Sequence, residues 1–86
     1  MRRATAFTTG NRFEALRRRV VQLEADLEGI EARRDAVDQA IDTTAQANDL
    51  AGLADFRLQA AALDEMASSL RERTRALHRF LAEDRR

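Results

Sequence analysis

From Phe13 onward, apolar residues fall at Phe13, Leu16, Val20, Leu23, Leu27, Ile30, Val37 and Ile41, a repeating three-then-four spacing. Only one face of a helix collects residues at that interval. In heptad positions, Phe13, Val20, Leu27, Arg34 and Ile41 take a, while Leu16, Leu23, Ile30, Val37 and Thr44 take d. The stripe is narrow, as in a coiled-coil seam. Asn11 followed three residues later by Glu14 reads as a variant capping box: the amide accepts from an orphan backbone N–H while the carboxylate reaches back. Helix one is therefore predicted to start near Arg12. Residues 1–11, with Thr5, Thr8, Thr9 and Gly10, read as a flexible arm.

The pattern fades between Thr43 and Gly52 and resumes with a second, wider stripe. Phe56, Leu63, Leu70 and Leu77 form an a-like row, Met66 and Phe80 sit at d, and Ala60, Ala67, Thr74 and Leu81 at e. The second frame is offset by one residue from the first. A slip beside Asn48, Asp49 and Gly52 is what a connection between two helices produces, because Asn tolerates the left-handed conformation that ends a helix and Asp caps the next. The competing reading is one uninterrupted helix of about 70 residues, since no proline enforces a break and long coiled coils absorb one-residue skips.

The hairpin is the reading adopted. Its arms run from Arg12 to Ala47 and from Leu50 to Asp84, with the turn near 47–52. Reflecting the chain about that turn sets Val20 against Leu77, Leu27 against Leu70, Ile41 against Phe56 and Leu16 against Leu81. It also brings Glu24 to Arg73 and leaves Arg34 opposite Leu63. The expected fold class is all-α, an antiparallel two-helix hairpin of coiled-coil type.

A hairpin has one seam, and chains of this size seldom bury enough apolar surface alone. Helix two also carries more apolar material than helix one can cover. The predicted partner or dimer groove is Phe56, Leu63, Met66, Leu70, Leu77 and Phe80. Its expected occupant is a second copy or a helical protein, which would complete a four-helix bundle.

Composition narrows the chemistry. The 86 residues include no Pro, Cys, Trp or Tyr and only three Gly, which excludes a disulfide scaffold, a cysteine zinc site and a turn-rich all-β fold. No apolar run approaches the ~20 residues of a membrane span, and Met1 to Gly10 lacks a signal-peptide core, so a soluble cytoplasmic chain is expected. His78 is the single histidine, at a b position away from the seam, and reads as solvated. Ser68 and Ser69 lie mid-helix without a glycine-rich elbow, and no phosphate-cradling loop is present. No enzyme activity, cofactor, small-molecule substrate or metal is expected. The dense carboxylate set, Glu24, Glu28, Glu31, Asp35, Asp38 and Asp42, lies in one band at e and b positions and lacks the Glu-x-x-His pairs of a di-iron bundle. It reads as a solvated acidic face or as a docking strip for a basic partner.

Charge is balanced overall and segregated along the chain. All fifteen basic residues are Arg, against fifteen acids. Residues 1–23 carry six Arg against one Glu, a net of +5. Residues 24–69 carry three Arg against eleven acids, a net of −8, and residues 70–86 carry six Arg against three acids, a net of +3. Folded as a hairpin, the open end carries +8 and the tip half −8. Arg17, Arg18, Arg19, Arg75 and Arg79, with Arg2, Arg3, Arg85 and Arg86, make the basic end. Arg near the start of helix one opposes the helix dipole, so helix stability does not account for that placement. Association does. The expected function is a non-enzymatic protein–protein interaction module, an adaptor or chaperone-like hairpin working through the helix-two groove and the charge polarity. The alternative is a dimeric helical bundle that binds nucleic acid through the Arg-rich end; it lacks aromatic stacking residues, and its acidic half would repel a duplex.

Overall fold

A computed structural model describes the backbone of residues 2–83 and the side chains of residues 12–83. Two helices, α1 (Arg2–Gln46) and α2 (Leu50–Glu83), pack against each other as a hairpin. Its long axis of 67 Å matches the 45 residues of α1 at a helical rise of ~1.5 Å each. The helix begins at Arg2, ten residues before the Arg12 start suggested by the capping-box reading, and so runs through the segment read as an arm. Neither a proline nor a pair of glycines interrupts residues 2–11, so Asn11 has no break to cap. Asp84, Arg85 and Arg86, and the side chains of Arg2 and Arg3, lie outside the described residues.

The turn is built by two residues. Asn48 takes φ 57°, the left-handed conformation. Its N–H donates to Ala45 O at 3.1 Å, and the N–H of Asp49 reaches back to Thr44 O at 3.0 Å. That pair of bonds is a Schellman termination, which satisfies carbonyls that a helix end otherwise leaves open. Asp49 then caps α2: its Oδ1 accepts from the N–H of Gly52 at 3.0 Å. The connection between the helices is thus only residues 47–49, with Asn48 and Asp49 making the reversal.

Along the seam, Val20, Leu23, Ile30 and Val37 of α1 are buried, as are Ala60, Ala67 and Thr74 of α2. Leu23, Ile30 and Val37 reflect about the turn onto Thr74, Ala67 and Ala60. The half-buried residues follow the same reflection, with Leu27 and Leu70, Arg34 and Leu63, and Ile41 and Phe56 at matching levels. Large side chains on one helix therefore face small ones on the other, and the helices approach closely. Thr74 and Thr44 enter the seam at little cost because each hydroxyl donates to its own helix, to Leu70 O and Ala40 O, both at 2.8 Å.

The second stripe is consequently assigned differently from its sequence reading. Leu53, Phe56, Ala60, Leu63, Ala67, Leu70, Thr74, Leu77 and Leu81 form one unbroken three-four alternation, every member at least half-buried. Met66 and Phe80, read as d positions, are 48% and 47% exposed. Seating Met66 in the seam would set a large side chain against Ile30, where Ala67 now stands.

The hairpin exposes 6939 Å². A compact monomer of 9.7 kDa exposes about 5,100 Å² by the mass scaling of folded proteins. The excess, about 1,800 Å², is roughly twice the ~800 Å² that each partner contributes to a standard protein–protein interface.

Candidate functional site

The seam divides the surface of the hairpin into two long faces of different chemistry. On the first, the acidic band of α1 lies beside Asp64, Arg71 and His78 of α2. Within the band two of the three e positions bridge the helices. Glu31 Oε2 accepts from Arg71 Nη2 at 3.0 Å, and Glu24 lies 3.9 Å from His78 Nε2. Asp38 pairs with Arg34 four residues before it. Arg34 occupies a seam a position, and its Nε donates to Asp64 Oδ1 at 2.8 Å. The bond to Asp64, then the one to Asp38, holds the guanidinium pKa above its ordinary value.

Glu28, Asp35 and Asp42, the b positions, are exposed and form no ion pair among the described residues. The six-residue strip is therefore two rows, one spent on the hairpin itself and one facing solvent. Two pairings expected from the reflection differ. Glu24 meets His78 rather than Arg73, because Arg73 lies across the seam on the other face. Arg34 stands level with Leu63 but extends past it to Asp64, which takes its charge out of the apolar seam.

The second face is apolar and small. Between the helices runs a groove lined by Ala25, Gly29 and Ile30 of α1 and by Met66, Ser69 and Leu70 of α2, with Asp26, Arg33 and Arg73 along its margins. It continues toward the turn past Ala36, Ala62 and Leu63. Gly29 has no neighbour within 4 Å of the position where a Cβ would stand, so the missing side chain answers no need of the hairpin. Phe80 lies fourteen residues from Met66 on the same stripe of α2, whereas Leu58, 71% exposed, falls on the side of α2 away from the seam.

The six predicted groove residues therefore separate. Phe56, Leu63, Leu70 and Leu77 are half-buried in the seam, whereas Met66 and Phe80 stand out on the second face. Gly29, Ala25 and Ala36 on the α1 side were missed, because small residues give no peak in an apolar pattern. Their spacing of four and seven residues was the available signal. Asp26 and Arg33 were also missed. Asp26 accepts from Gln22 at 2.9 Å, and Arg33 makes no ion pair among the described residues.

At the open end, Arg17, Arg18, Arg19, Arg75 and Arg79 are all exposed. Arg18 lies 3.7 Å from Glu14 on its own helix. Among the described residues no three His, Asp or Glu side chains converge as a metal site requires, and neither helix is long and apolar enough to cross a membrane. Comparisons with family models, with curated proteins and with solved structures find no match to this chain.

Proposed function

We propose that this protein is a non-enzymatic binding module, a helical hairpin whose second face receives a helical protein chain. The occupied state is a bundle of four or so helices, and the role is that of an adaptor or a chaperone-like cover. The observation that carries the reading is the exposure of Met66 and Phe80 on α2, beside a groove floored by Ala25, Gly29 and Ile30, in a molecule with about 1,800 Å² of surface beyond that of a compact monomer. Burial at ~25 cal/mol per Å² makes such a face costly to leave wet. A helix fits it because Gly and Ala lower the walls and Met adapts to an incoming side chain.

The test is position-specific cross-linking. A benzophenone side chain placed at Met66 should form adducts with a protein chain, whereas the same group at Val21, 65% exposed on the opposite face, should form few. Equal yields from the two positions would rule out the second face. The adducts should persist at ~0.5 M salt; nucleic-acid binding by the Arg-rich end would weaken by orders of magnitude.

A further inference from the structure

We propose that the occupant of the second face is a second copy of this chain, docked antiparallel. The inference rests on the reading of that face as a docking surface and adds its partner and its orientation.

Two identical hairpins brought face to face about a two-fold axis have two simple arrangements. With the axis along the hairpin, the copies run parallel and α1 lies on α2 of the second copy. With the axis across the hairpin, the copies run antiparallel, α1 on α1 and α2 on α2. Charge separates the two. The parallel arrangement stacks Arg17, Arg18, Arg19, Arg75 and Arg79 of both copies at one end and both acidic tips at the other. The antiparallel arrangement lays the basic end of each copy, with Arg17, Arg18, Arg19, Arg75 and Arg79, along the acidic half of the other.

The groove then fixes the level. Gly29 and Met66 lie near the middle of the paired length of the hairpin, so an axis crossing there brings the poles into register. With the axis between Gly29 and Ile30, Asp26 of each copy stands opposite Arg33 of the other, and the pairing occurs twice by symmetry. These are charged residues that border the groove beside Gly29, and Arg33 has no ionic partner of its own among the described residues. The reflection that relates α1 to α2 within the hairpin carries the same axis to a point midway between Met66 and Ser69. Each Met66 therefore meets a Ser69 of the other copy, a large side chain over a small one. Gly29, whose Cβ would stand in open space within one hairpin, becomes the point of closest approach between two. The surface excess of the single hairpin is enough for a standard interface.

The test is a charge exchange read by sedimentation equilibrium on the full chain. Wild type should dimerise. Asp26→Arg alone and Arg33→Asp alone should each weaken self-association by about tenfold or more, since each sets like charges together at two places. An equimolar mixture of the two variants should associate as a heterodimer with affinity within about threefold of wild type, because every Arg then meets an Asp. Glu28→Arg on the opposite face should leave the dimer intact, and circular dichroism shows whether each variant remains helical. A chain that stays monomeric at about 100 µM, or variants that weaken association without recovering on mixing, overturns the proposal. If the chain is monomeric while a benzophenone at Met66 still captures a different protein, the binding-module reading stands and the self-pairing falls. If Met66 captures nothing, both fall.

Discussion

Replacing Gly29 by Ala is the most direct probe of whether the second face is vacant in the single hairpin. Glycine in a helix interior is less favourable than alanine by about 1 kcal/mol, because it loses more backbone freedom on folding. That gain is offset only where the new methyl group meets something. At Gly29, beyond its chain neighbours and the backbone of its own helical turns, nothing lies within 4 Å of the Cβ position, and no glycine among the described residues has a left-handed backbone. The full ~1 kcal/mol should therefore appear as stability. For 86 residues the unfolding entropy near the midpoint is ~0.18 kcal/mol/K, so Tm should rise by about 5 °C. Thermal circular dichroism at a concentration where the chain is monomeric reads this directly. Gly52→Ala is the internal control: its methyl group would collide with the Asp49 carboxylate that caps α2, so loss of the cap should cancel the propensity gain. A Tm for Gly29→Ala that is unchanged or lower would refute an open position at Gly29, and with it the vacancy of the groove.

Three further outcomes follow from the seam. Leu23→Ala, at the most deeply buried large side chain, should cost about 2–3 kcal/mol, a large share of the ~4–13 kcal/mol typical for this length; a denaturation midpoint that moves no further than that of Val21→Ala would contradict it. Ala67→Leu should destabilise by about 1–3 kcal/mol despite added apolar area, because Ala67 reflects onto Ile30 where the helices are close; a stabilised variant would show the seam to be looser. Arg34→Leu should raise Tm by adding apolar area level with Leu63 while the carboxylates it releases, Asp64 and Asp38, are solvated, and the wild-type deficit should grow as salt screens the Arg34 pairs.

Much of the hairpin was legible in the chain itself. The three-four spacing from Phe13 to Ile41 names the buried face of α1, since helical geometry alone decides which side chains share a side. Asn48 and Asp49 locate the reversal because a left-handed residue and a capping carboxylate are local requirements, met within a few residues. The opposed +8 and −8 halves are likewise a property of order along the chain once it folds back.

Tertiary structure decided the rest. Whether Met66 and Phe80 or Ala60, Ala67 and Thr74 line the seam depends on what stands opposite, and the large chains at Leu23, Ile30 and Val37 select the small set. That choice turns Met66 outward and leaves Gly29 beside an open groove. It also sorts the acids: Glu24 and Glu31 at e reach α2, Asp38 at e pairs with Arg34 of the seam, and those at b keep their charge for solvent. The helical backbone through residues 2–11 belongs here too, since Asn11 and Glu14 carry a capping pattern and only the continuity of the chain upstream shows whether a helix has begun. Periodicity fixes which residues a helix can present on one side, but which apolar stripe is buried depends on the fit of two surfaces, and a single helix does not contain that information.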